Sequence, residues 1–280
     1  MHQASLGQLG QLGQPVTAYP NSYNSELLFP ILRSNNRQNL KSTDFYGVDL
    51  WHHYEVSWLD QRGVPQVSIA RITLPCESLY LIESKSLKLY FNSLNMEKFE
   101  SESFLKNLII QDLSKAAGIL INLEFFPVDN FDNFSIESQD NLNDLGLCLD
   151  HLNPYSTSLD LLKLEREPGE ILVVHEKLYS NLFRSLCPVT SQPDWARVSI
   201  EYSGAKINHE SLLAYLISYR THQGFHEDCV ERIYSDLWNL GGLTSLTVIG
   251  NFTRRGGLDI NPMRSSEKNK LIRARRCARQ

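Results

Sequence analysis

The 280-residue chain has no run of about 18 apolar residues and no basic-then-apolar leader, so neither a membrane span nor a secretory signal is read and a cytoplasmic protein is expected. It has no CxxC pair. Its five cysteines, Cys76, Cys148, Cys187, Cys229 and Cys277, are odd in number and widely scattered, which argues against a disulfide framework and for free thiols in a reducing compartment. No GxGxxG occurs, so there is no Rossmann dinucleotide fingerprint. An excess of positive charge is missing too. The net charge is −5 and the pI near 5.9, whereas a broad nucleic-acid surface needs clustered Lys and Arg to displace phosphate counterions. A small molecule is the expected partner.

What is present is core-forming material: 42% of the residues are hydrophobic and 21% charged. That suits one large domain or two of about 140 residues. The opening LGQLGQLGQ is too short and Gly-rich to build a core, and YPNSYNSELLFPILR alternates aromatic anchors with turn residues; residues 1–33 read as an arm laid over a domain. In a first half, 34–128, FYGVDLWHHYEVSWL and VPQVSIARITL flank Asp60-Gln61-Arg62-Gly63, which predicts an antiparallel hairpin. His52 and His53 then point to opposite faces of a strand and are read as satisfied or solvent-facing rather than as ligands. LYLIESKSLKLYFNSLN reads as a helix start with serine caps, whose N-terminus and lysines suit an anion or are simply solvated. SESFLKNLIIQDLSKAAG opens with a candidate capping box and closes at Gly118, and ILINLEFFPV alternates as a strand.

Residues 129–159 turn polar and are the linker candidate. The second half, 160–264, repeats the first in outline. ILVVHEKLYS reads as a strand, the segment around Cys187 as a loop, and ARVSIEYSG as a strand with Val198, Ile200 and Tyr202 in phase. His209 to Arg220 and His226 to Leu240 read as helices, the second with Cys229, Val230, Ile233, Tyr234 and Leu237 on its apolar side, and LTSLTVIGNF as the final strand. Strand pairs and helix pairs in each half predict an α+β architecture with an internal duplication. Residues 265–280 form a basic tail that reads as peripheral.

The sharpest chemistry lies in Cys187 to Trp195, CPVTSQPDW. Pro188 and Pro193 keep the segment out of a helix, so Cys187 and Asp194 face one cavity across a stiff loop, with the ring of Trp195 beside the acid excluding water. A nucleophilic thiol needs a proton acceptor, and Asp194 is placed to be one; a buried, inert cysteine is the plain alternative. In THQGFHEDC, Glu227 opens a helix, where the macrodipole keeps a carboxylate ionised and able to accept two hydrogen bonds; simple charge complementation is its alternative. TRRGGLDINP brings two arginines and two glycines together, a phosphate turn or a solvated one.

The wording SLCPVTSQPDWA resembles the active-site segment of the 7-cyano-7-deazaguanine reductases, which reduce a nitrile to an amine with NADPH on the way to queuosine in tRNA, and ESKSLKLY is similar to a signature of the same family in its longer form. The resemblance runs from about Ala18 to Arg264. It implies two tandem tunnelling-fold halves, T-folds of antiparallel sheets with helix pairs, assembled across subunits, hence a homodimer. It implies Cys187 as nucleophile and Asp194 as proton shuttle, and Ile82, Glu83, Ser84, His226 and Glu227 at the deazaguanine. Ser84, Lys85, Arg255 and Gly256 would meet NADPH. Direct tRNA binding is not expected. The related GTP cyclohydrolases often use zinc, and His226, Cys229 and Cys187 could mimic a site, but Cys229 falls on an apolar helix face and no metal is expected. A T-fold hydrolase of GTP or pterin type, and a purine-binding protein without chemistry, are the rival readings.

Overall fold

Asp60 turns the first hairpin. Its Oδ1 accepts the amides of Arg62 and Val64 at 2.9 Å each, and Gly63, at φ +85°, donates to the Asp60 carbonyl at 2.9 Å. This side-chain mimic of a backbone turn reverses the chain between β2 (Tyr46–Leu59) and β3 (Pro65–Pro75), the hairpin the sequence predicts. The computed structural model describes residues 20, 22–129, 146–154, 172–268, 270 and 277–280. The LGQ repeat, most of the expected linker and 271–276 of the basic tail lie outside them. The architecture is mixed α+β, and the described residues fall into two units.

The first unit holds 20, 22–36, 50–129 and 254–259. In it β3 lies between β2 and β5 (Asn122–Phe126), while β1 (Pro30–Leu32) pairs antiparallel with β4 (Tyr80–Ile82). Helices α1 (Ser84–Leu94) and α2 (Glu102–Ala117) bury Leu87, Tyr90 and Phe91 from one and Leu105, Ile109 and Leu113 from the other. Each such side chain removed from water contributes about 1.5–3 kcal/mol. The Ser101 hydroxyl accepts the Phe104 amide at 3.1 Å, and Gly118, at φ +74°, ends α2. The expected capping box is therefore only half formed, because Phe104 occupies the position that a reciprocal Glu would need. Both adjacent histidines are buried and each has a partner at Nδ1, while Nε2 of His53 is buried without one. His52 Nδ1 lies 2.8 Å from Asp259 Oδ1, and His53 Nδ1 donates to the Gly257 carbonyl at 3.1 Å.

The second unit holds 37–49, 146–154, 172–253, 260–268, 270 and 277–280. Its strands run in the order β6 (Leu147–Cys148), β7 (Val173–Ser180), β9 (Pro193–Ala205), β10 (Leu243–Phe252) and β11 (Leu258–Ser265, of which Ile260–Ser265 belong to this unit); β8 (Arg184–Leu186) pairs with the start of β9. Two elements depart from the sequence reading. The stretch LGLCLDHL, placed in a linker, supplies β6, and Asp150 behind it accepts hydrogen bonds from Ser180 and Asn181. β11, read as a turn, is a strand buried throughout. Its polar residues break the apolar alternation but are paired: Asn261 Oδ1 accepts from Asn251 at 2.9 Å, Ser265 meets Thr247 at 2.9 Å, and Arg264, with no exposed surface, reaches Asp49 at 2.8 Å and Glu231 at 2.7 Å.

Helices α3 (His209–Ser218) and α4 (His226–Trp238) bury Leu212, Leu213 and Leu216, and Val230, Ile233 and Leu237. Along β9 the even-numbered residues from Asp194 to Tyr202 are buried and the odd ones are not, which is the period of a strand with one face covered. Among the described residues no helix is long and apolar enough to cross a membrane.

Candidate active site

The Cys187 segment is a β-hairpin, not the stiff loop expected. β8 pairs with β9 in the register Arg184 to Trp195, Ser185 to Asp194 and Leu186 to Pro193. The Cys187 amide then donates to the Gln192 carbonyl at 2.9 Å, the Ser191 amide donates to the Cys187 carbonyl at 2.9 Å, and Ser191 takes φ +56° at the tip. Pro193 can open a strand because a first residue need not donate to the ladder. Strand alternation puts Cys187 on the side of Ser185, and so on the face of Asp194 opposite it.

The same alternation corrects the expected role of Trp195. It points to the other face of β9, with 36% of its surface exposed against 8% for Asp194, so its ring does not shield the acid. Phe252 at the end of β10 packs there instead. Its ring centroid lies 4.0 Å from that of His226, and His226 Nε2 is 3.5 Å from Asp194 Oδ2. Phe252 was legible in the sequence only as the last residue of a strand; nothing in its spacing signals the contact with His226.

His226 and Glu227 open α4 as the sequence predicts, and Glu227 is 2% exposed. The N-cap residue, Phe225, offers no side-chain acceptor, so the amides of the first turn are left to other groups. An acidic side chain in that turn is favoured by the helix dipole. Cys229, one turn further, is fully buried, and burial pushes its thiol pKa up, which makes it an inert core residue.

In the first unit Glu83, not a serine, caps α1. Its carboxylate accepts the Lys85 amide at 3.0 Å and the Ser86 amide at 2.7 Å, while burial raises its pKa. Those two amides are thereby taken by Glu83 and are not presented to a phosphate. Ile82 is buried at the end of β4, and Ser84 and Lys85 are half-buried. Arg255 and Gly256 form an exposed turn. The structure brings this turn to α1, because Lys88 Nζ donates to the Gly256 carbonyl at 2.7 Å and lies 3.2 Å from Glu55 Oε2. Lys88, one turn after Lys85, is among the lysines that the sequence offers to an anion, though no site role was expected of it. Exposed Arg255 beside a lysine-bearing helix face suits the phosphates of a cofactor.

Two family models match the chain: "Nitrile reductase, 7-cyano-7-deazaguanine-reductase N-term" over residues 19–125 and "QueF-like protein" over 193–271. The NADPH-dependent 7-cyano-7-deazaguanine reductases of Acinetobacter baumannii strain SDF and of Legionella pneumophila strain Corby are 47% and 45% identical to it, over 94% of this chain and 96% and 92% of theirs. A solved structure of the archaeosine synthase QueF-Like in the apo form aligns with 33% of this chain and 91% of its own at 21% identity and a TM-score of 0.29, too low to bear on the fold. Identity at this level along almost the whole length leaves no room for the cyclohydrolase or scaffold readings: the chain belongs to the family of the NADPH-dependent 7-cyano-7-deazaguanine reductases.

Proposed function

We propose that this protein reduces the nitrile of 7-cyano-7-deazaguanine to the aminomethyl group of 7-aminomethyl-7-deazaguanine, through a thioimide on Cys187. The observation that carries the mechanism is the β8–β9 hairpin, which sets Cys187 on the face of Asp194, itself 3.5 Å from His226. Asp194 takes the thiol proton as sulfur adds to the nitrile carbon, and returns it to the nitrogen, so the C≡N bond becomes a C=N–H bearing the cysteine sulfur. Two NADPH supply the two hydrides that this reduction needs. The thiolate leaves after the first reduction and again becomes the partner of Asp194, while His226 steadies the carboxylate and contacts the reacting end. Glu227 accepts the N1–H and the exocyclic amine of the guanine-like edge, which two oxygens of one carboxylate can do together.

In the first unit the same reading gives Ile82, Glu83 and Ser84 to the deazaguanine, and Ser84, Lys85, Arg255 and Gly256 to the cofactor. The sheet and helix pair of each unit are read as tandem T-fold halves, 34–128 and 160–264, joined by 129–159, preceded by an arm at 1–33 and followed by a tail at 265–280. A cytoplasmic homodimer without direct tRNA contact completes the proposal.

Intact-mass analysis after incubation with the nitrile alone tests the mechanism. Wild type gains the mass of the substrate, Cys187→Ala does not, and Asp194→Asn forms the adduct about a hundredfold more slowly or worse. An adduct on the Ala variant overturns the role of Cys187.

A further inference from the structure

The face of the hairpin turned away from Asp194 carries a second constellation. Three guanidiniums converge on the exposed Trp195 ring, Arg184 at 5.9 Å from its centroid, Arg220 at 5.4 Å and Arg279 at 5.8 Å. They come from three separate places in the second unit: β8, the 3-10 turn Tyr219–Thr221 after α3, and the last described residues. The turn is fixed to the hairpin by the Leu186 amide donating to the His222 carbonyl at 2.9 Å and the Gly224 amide donating to the Leu186 carbonyl at 3.1 Å. The chain end is fixed by Gln280, whose amide donates to the Phe252 carbonyl at 3.0 Å and to Asn261 Oδ1 at 2.6 Å. Among the described residues none of the three arginines is in an ion pair or a side-chain hydrogen bond, and Nε of Arg184 is buried without an acceptor.

Three cations gathered on one ring repel one another, and their attraction to its π-face does not cancel the charge. A dianion between their forks would. Guanidiniums bind phosphate oxygens in pairs, and a ring to hold their planes fixes the forks in advance. We propose that Arg184, Arg220 and Arg279 form an oxyanion site beside Trp195 for a phosphomonoester dianion, the 2′-phosphate of the cofactor. This rests on the reductase reading: an enzyme that requires NADPH must tell a 2′-phosphate from the hydroxyl of NADH.

Calorimetric titration of the full chain with adenosine 2′,5′-bisphosphate, adenosine 5′-monophosphate and inorganic phosphate tests the site. Wild type should bind the bisphosphate at least about tenfold tighter than the monophosphate, and the double variant Arg220→Gln/Arg279→Gln should lose that preference. The double variant should raise KM for NADPH and leave kcat and the KM for NADH unchanged, with Arg220→Lys/Arg279→Lys keeping part of the preference; a folding defect would lower kcat with both cofactors. A bisphosphate preference that survives in the double variant overturns the site. Inorganic phosphate competing as well as the bisphosphate, with both cofactors affected alike, overturns the 2′-phosphate as its source. The cysteine adduct with the nitrile needs no cofactor, so its absence would sink the reductase reading and leave the phosphate result to stand or fall alone.

Discussion

Several buried side chains in this chain owe their protonation state to burial more than to neighbours of opposite charge. His53 is the clearest case: burial lowers its pKa from 6.5 to about 4, against the small opposing pull of the Gly257 carbonyl. A histidine whose folded pKa is depressed stays neutral in the native protein while the unfolded chain takes up a proton below pH 6.5. Stability is therefore whole above pH 6.5 and falls as the pH drops toward 4, by about 3 kcal/mol in all. Urea unfolding at pH 7 and pH 4.5 should show the loss, and His53→Gln should flatten that dependence; an unchanged pH slope in the variant removes His53 as its source. The sequence reading of satisfied histidines holds for His52, bonded to Asp259, and only in part for His53, whose Nε2 is buried without a partner. It did not reveal which was held by Asp259, because that partner lies about two hundred positions away. Trp195 teaches the reverse lesson. Val198, Ile200 and Tyr202 were already in phase, and two more steps of the same period reach Ala196 and Asp194, so the outward direction of Trp195 was available in the sequence and was outweighed by its proximity to the acid.

Among the elements, the two helix N-termini divide the work. At α1 the Glu83 carboxylate fills the first turn, and at α4 no side-chain cap does. In the proposed function Glu227, in the first turn of α4, is the acceptor for the ligand. Glu227→Leu should weaken substrate binding by about 2–5 kcal/mol, because the donors of the bound ring would be buried without an acceptor. Calorimetry giving an unchanged dissociation constant would take Glu227 out of the site. Helices and long alternating strands were legible because their periods are long and apolar. β11 was not. Asp259, Asn261 and Arg264 interrupt its pattern, and each is tolerated inside only through partners supplied by distant elements, which no local window contains.

At the scale of the whole chain, Arg264 holds the second unit together. Its guanidinium joins Asp49 near the start of β2 to Glu231 on α4, and Arg37 meets Glu231 at 2.7 Å as well. Arg264→Leu leaves two buried carboxylates short of a cation and should cost about 3–5 kcal/mol of stability, measured by denaturant unfolding. A loss under about 1 kcal/mol would mean that water or Arg37 replaces it. The proposed homodimer is checked by sedimentation equilibrium, where a single-chain mass of 32.1 kDa at micromolar concentration would reject it. A linear reading assigns each residue to the half in which it occurs, whereas the two units take 37–49 and 254–259 out of that order.

That interleaving bears on synthesis. The first unit includes 254–259, and from that short stretch Gly257 supplies the carbonyl for the Tyr54 and His53 N–H groups, while Asp259 holds His52 and Tyr54. A ribosome must therefore deliver most of the polypeptide before β2 can satisfy its own backbone. Until then a long strand rich in Trp, Tyr and Val waits with open donors, the condition under which nascent chains pair with one another.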